Sequence, residues 1–199
     1  MSPTLLGHPQ RYDRESDGMN DTTLRAKYAY RFRIHDSNGD GLVDSRDIVR
    51  RAEELLAGLA EPPESARAAA VVRGAQLYWQ GVAKLAGIDE DGQLTEAAFV
   101  EALVRANVTG TIADVVRPSV EAHIALVDRD GDGVVSLAEF ARSQQVLGMT
   151  AEAAHDAFAA LDREGDGSLT VDEWQQAVMD FYTTTDPAAP GNLVLGLRS

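Results

Sequence analysis

The 199-residue chain contains no cysteine, which excludes disulfides, thiolate metal sites and cysteine nucleophiles together. It has no run of about 18 apolar residues, so a membrane-spanning helix is excluded as well. Positive charge is scarce. Only 18 basic residues stand against 32 acidic ones, and the formal net charge of -14 argues against nucleic acid or an anionic membrane surface as a partner. The chain also lacks a Gly-rich phosphate loop, an H-E-x-x-H and a G-x-S-x-G motif, and its four histidines, His8, His35, His123 and His155, are scattered. No enzyme is expected from such a set. Methionine is sparse too, limited to Met1, Met19, Met149 and Met179.

What is present is ordinary globular composition, 44% hydrophobic and 25% charged, with enough length for a substantial core. Residues 1–19 carry Pro3 and Pro9 and no apolar run suited to a secretory signal, so they read as a mobile leader on a cytoplasmic protein.

The carboxylates form a repeat. Four segments superpose on their glycines: DSNGDGLVDSRD from Asp36, GIDEDGQLTEAA from Gly87, DRDGDGVVSLAE from Asp128 and DREGDGSLTVDE from Asp162. Each has glycine at its sixth position and an aliphatic residue, Val43, Leu94, Val135 or Leu169, at its eighth. Calcium takes six to eight oxygens at about 2.3–2.6 Å, and a twelve-residue loop supplies them from positions 1, 3, 5, 7, 9 and 12, with glycine at 6 for the turn. A turn alone does not require five spaced oxygen donors.

Loop 128–139 fits that pattern throughout, offering Asp128, Asp130, Asp132, the Val134 carbonyl, Ser136 and Glu139. Loop 162–173 offers Asp162, Asp166, the Ser168 carbonyl, Thr170 and Glu173, but its third position is Glu164, whose extra methylene crowds the shell. Loop 36–47 offers Asp36, Asn38, Asp40, the Leu42 carbonyl and Asp44. Its last position is Asp47, one carbon shorter than glutamate, which lowers the coordination and favours a mixed calcium and magnesium site. Loop 87–98 has Gly87 and Ala98 at its two ends, so it is expected to be silent, kept as the folding partner of the first. About three calcium ions are therefore expected, with magnesium admissible in loop 36–47.

Amphipathic segments flank every loop. The expected helices are Thr22 to His35, Asp44 to Leu59 stopped by Pro62-Pro63, 64–86, 95–106, 119–127 with Pro118 at its first turn, 137–147, 151–161 and 171–183. Gly148 should end one helix and Thr150 cap the next. The prediction is an all-α fold of eight helices in four helix–loop–helix units, paired through short β-bridges at loop position 8. Pairs at 20–107 and 108–184 would be followed by a tail at 185–199. Phe32, Phe99, Phe140, Phe158, Trp174 and Phe181 are the expected aromatic core.

Four such units, the second degenerate, together with the tail DPAAPGNLVLG from Asp186, resemble the calerythrin and sarcoplasmic calcium-binding protein family of EF-hand proteins across residues 20–195. The resemblance implies a compact globule with its halves packed together and a calcium-buffering or transport role. The few methionines, and a tail able to fill an internal groove with Leu193, Val194 and Leu195, favour a monomeric buffer over a calcium-dependent regulator. No protein partner is named by the sequence. A photoprotein-like chromophore binder would share the loop order and would need a buried apolar cavity.

Overall fold

The computed structural model describes residues 13–195, with side-chain surroundings from Thr22 onward. Nine helices run α1 Asp13–His35, α2 Ser45–Gly58, α3 Ala66–Ala86, α4 Glu96–Val108, α5 Ile112–Val127, α6 Leu137–Val146, α7 Ala151–Leu161, α8 Val171–Thr183 and α9 Pro190–Val194 among these residues. Four short strands lie inside the loops: β1 Leu42–Val43, β2 Leu94–Thr95, β3 Val134–Ser136 and β4 Ser168–Thr170. The antiparallel pairs β1–β2 and β3–β4 set Val43 opposite Leu94 and Val135 opposite Leu169. These four position-8 side chains are buried, so each bridge ties two loops together and roofs the core beneath them.

The helices start where the loop chemistry allows. Asp44, Thr95, Ser136 and Thr170, all at loop position 9, are N-caps accepting from backbone N–H groups of the exiting helix. Between α6 and α7, Gly148 takes a left-handed φ of 95° and Thr150 caps the next helix, as the sequence indicates.

Four expectations change. Helix α1 begins at Asp13 instead of Thr22, since no proline follows Pro9 until Pro62 to break it. The part of the expected leader before Asp13 lies outside the described residues. Helix α2 ends ahead of Pro62-Pro63, where Ala60 takes a left-handed φ of 55° and Glu61 N–H returns to the Leu56 carbonyl at 2.9 Å. Pro118 lies inside α5, which begins at Ile112, so the proline removes one internal hydrogen bond instead of starting the helix. Finally, the tail supplies a ninth helix, α9.

Two glycines permit close approaches to the backbone of a neighbouring helix. A Cβ on Gly74 of α3 would stand 2.8 Å from the Pro118 carbonyl oxygen of α5, so the central crossing between the two pairs of hands depends on a missing side chain. A Cβ on Gly191 of α9 would fall on the Ala177 carbonyl oxygen of α8, which lets the tail helix lie directly on that backbone. All six expected aromatics are buried in one continuous core. Further ties between the pairs are the Tyr28 hydroxyl donating to the Tyr182 carbonyl at 2.6 Å and Lys27 Nζ donating to the Thr184 carbonyl at 2.8 Å.

Candidate metal centres

In loop 128–139 the carboxylates fold the backbone around themselves. Asp128 accepts from Gly131 N–H at 2.8 Å and Gly133 N–H at 3.1 Å. Asp130 accepts from Asp132 N–H at 3.3 Å, and Asp132 from Val134 N–H at 3.0 Å. Gly131 and Gly133 have φ of 75° and 88°, a region that disfavours a side chain. Glu139 is the N3 member of a capping box: its Oε2 accepts from the Ser136 N–H at 3.0 Å and the Ser136 hydroxyl at 2.8 Å. Its Oε1 reaches across the loop to Arg129 N–H at 2.9 Å.

Ligand oxygens of Asp128, Asp130 and Glu139 lie within 4.8 Å of one another. That separation is about twice a calcium–oxygen distance, so the three can face one ion. Burial alone would push the Glu139 carboxyl up, but the hydrogen bonds from Ser136 and Arg129 outweigh it and hold the group below its usual range. An all-oxygen, anionic donor set of this kind fits a hard divalent cation.

Loop 162–173 repeats the arrangement. Asp162 accepts from Gly165, Asp166 and Gly167 N–H at 2.7, 3.2 and 2.8 Å. Asp166 accepts from both the Ser168 N–H and its hydroxyl, which hold its carboxyl below the usual range. Glu173 accepts from Thr170 N–H at 2.9 Å and Thr170 Oγ1 at 2.8 Å, and reaches across to Arg163 N–H at 3.4 Å. Glu164, in the third position, is exposed.

Loop 36–47 begins the same way: Asp36 accepts from Asp40 and Gly41 N–H, Asn38 from Asp40 N–H, and Asp40 from Leu42 N–H. Its far end differs. Asp47 Oδ2 accepts from Asp44 N–H at 3.0 Å, but Oδ1 is taken by Arg50 at 2.9 Å. The same Arg50 contacts Ser37 Oγ at 3.3 Å, across the loop, where the longer glutamates of the other two loops reach. Asp44 Oδ2 is held by Arg46 at 2.6 Å and by Gln93 of the silent loop at 3.2 Å. The Arg46 hydrogen bond is the main cause of a carboxyl pKa lowered to about 2.

The sequence pattern did not point to these three residues: Arg50 engages the short Asp47, while Arg46 and Gln93 engage Asp44. Loop 87–98 closes as a plain turn, Gly92 N–H to the Asp89 carbonyl at 3.0 Å, with Trp79 Nε1 donating to the Glu90 carbonyl at 2.7 Å.

Residues 123–142 and 154–179 match the EF hand family profile. Paired helix–loop–helix units around oxygen-lined loops make this an EF-hand calcium-binding protein. Calerythrin of Saccharopolyspora erythraea is 29% identical over 155 residues, 76% of this chain and 88% of that protein. A Streptomyces coelicolor calcium-binding protein, whose structure is described as a basis for prokaryotic calcium-mediated regulation, is 34% identical. It superposes with a TM-score of 0.67 over 80% of this chain and 98% of its own. A sarcoplasmic calcium-binding protein from amphioxus, 15% identical, shares the fold at a TM-score of 0.67 over 89% of this chain and 98% of its own. The chain belongs to the calerythrin-like EF-hand calcium-binding proteins.

Proposed function

We propose that the protein is a monomeric intracellular calcium buffer that takes up about three ions, in loops 128–139, 162–173 and 36–47. The ligands are Asp128, Asp130, Asp132, Val134, Ser136 and Glu139 in the first; Asp162, Glu164, Asp166, Ser168, Thr170 and Glu173 in the second; and Asp36, Asn38, Asp40, Leu42, Asp44 and Asp47 in the third. The observation that carries the reading is the position-12 glutamate held across its loop, Glu139 on Arg129 N–H, beside Asp128 and Asp130. Loop 36–47 is the magnesium-tolerant member, because Asp47 offers one oxygen to the loop only after Arg50 releases it. Buffering is supported by the tail: α9 already packs on α7 and α8, so the apolar surface that a sensor would open is occupied from within.

The test is a calorimetric calcium titration with and without magnesium, run beside a hydrophobic dye. Three uptake events with no rise in dye fluorescence from the apo folded state to the loaded state support buffering. A regulator is the second reading, favoured by the role described for the Streptomyces relative. Dye binding that appears on calcium loading would replace the buffer with that reading.

A further inference from the structure

Between the two pairs of hands lies a cavity of about 320 Å³, walled by α1, α2, α3, α5, α6, α7, α8 and the tail helix α9. Its size falls at the lower end of the range that holds small organic molecules. The wall is mainly apolar, with Ile124, Trp174, Val178 and Val194 facing inward. Set into it are Arg31 Nε, His35 Nδ1, Tyr78 Oη and Gln144 Oε1. These are four of the five buried side-chain polar atoms that lack a hydrogen bond among the described residues. Most buried polar atoms find partners, so four orphans converging on one cavity call for an occupant that satisfies them.

The charge of the lining narrows the occupant. In a chain with 32 acidic and 18 basic residues, the cavity is lined by two arginines and two histidines and by no aspartate or glutamate. Arg51 has its own partner, Glu54 at 3.0 Å. Burial keeps His123 neutral near pH 7. Arg31 is left as the uncompensated cation, with Tyr30, Tyr78 and Tyr182 around it and His35 Nε2 at 3.3 Å from its Nη2. A partly buried guanidinium with no carboxylate beside it is costly, and a ligand anion would offset that cost. Water could bridge the orphan atoms but would bring no negative charge.

We propose that this cavity binds a small, mainly apolar organic carboxylate. Its carboxylate accepts from Arg31 and the Tyr78 hydroxyl, and its hydrocarbon body packs on Ile124, Trp174 and Val178. The site is separate from the calcium loops. Because Trp174 forms part of the wall, occupancy should alter indole fluorescence.

The experiment uses the full-length, calcium-loaded protein titrated with decanoate and, as the uncharged counterpart, 1-decanol, read by calorimetry and tryptophan fluorescence. The expected result is saturable uptake of one decanoate per chain, at least tenfold tighter than 1-decanol. Arg31→Met should abolish that preference and Arg31→Lys should retain it, with calcium stoichiometry unchanged in both. Equal affinity for the two probes, no saturable uptake of either, or a preference surviving Arg31→Met in a cooperatively melting variant would each overturn the assignment. Unchanged calcium stoichiometry keeps a failure here distinct from a failure of the buffer reading.

Discussion

Loops 36–47 and 128–139 start from nearly the same residues and end in different electrostatic states. In the later loop Glu139 is long enough to satisfy its helix cap with one oxygen and present the other across the loop to Arg129 N–H. In the earlier one Asp47 satisfies the cap and stops short, and Arg50 occupies both its free oxygen and the Ser37 side of the loop. A single methylene thus decides whether position 12 faces a cation site or an arginine. The lesson concerns competition: the first loop has donors in number, but two of its carboxylates are already paired.

The comparison breaks most severely if the long arm is removed. Glu139→Ala deletes the cross-loop oxygen and half of the capping box, and calcium affinity at that loop should fall roughly a thousandfold, about 4 kcal/mol. Calorimetry should then show one uptake event fewer in the physiological range. Asp47→Ala, in contrast, should cost far less affinity, because that side chain is engaged by Arg50 beforehand. Equal losses at the two loops would refute the ranking.

A second test concerns the interior that both halves share. His35 of α1 and His123 of α5 are held uncharged by burial, with Arg31 adding to the effect in each case. For His123 the folded pKa is about 4 against an ordinary 6.5. Between those values the unfolded chain binds a proton that the folded chain refuses, so stability falls as pH drops through that window and is intact above it. The full effect is about 3 kcal/mol, from roughly 1.4 kcal/mol per unit. Urea melts of the apo protein at pH 7 and pH 4.5 should therefore diverge, and His123→Gln should flatten part of the difference. A slope of opposite sign would mean that the histidine is charged in the fold.

The glycine at the crossing gives the next effect. Gly74→Ala puts a methyl against the Pro118 carbonyl and Ser119, forcing α3 and α5 apart. Overpacking of this kind costs typically 1–3 kcal/mol, so a melting point lower by several degrees is expected, in both the apo and the calcium-loaded protein. An unchanged melting point would show that the pairs do not rely on that contact.

Much of this architecture was legible because the loops impose a local code. Glycine at position 6, an aliphatic residue at position 8 and an N-capping oxygen at position 9 fix the turn, the bridge and the helix start within twelve residues, so α7 and α8 match their expected bounds residue for residue. What escaped was set by tertiary contact. Pro118 reads as a helix start and lies inside α5, where the crossing with α3 outweighs the lost hydrogen bond. Likewise Gln93 is an ordinary polar residue until β1 pairs with β2 and brings the silent loop beside Asp44. The cavity is non-local in the same way, its polar atoms coming from α1, α3 and α6.

The finest test tries to make the first loop behave like the third. Asp47→Glu restores the missing methylene, and Arg50→Gln removes the competing cation while keeping a side chain of similar reach. Exposed or half-exposed ion pairs contribute about 0–1 kcal/mol, and the Arg50 side chain is 43% exposed, so releasing Asp47 should gain only a few-fold in affinity by itself. Added to a second carboxylate oxygen at position 12, the double variant should bind calcium about tenfold more tightly at loop 36–47, near 1.4 kcal/mol. Its preference should also move away from magnesium, since a bidentate glutamate suits a larger shell than an octahedral ion accepts. Competition calorimetry reads both changes at once. If Arg50→Gln alone achieves the whole gain, the arginine is the governing difference between the loops; if it achieves none, chain length at position 12 is.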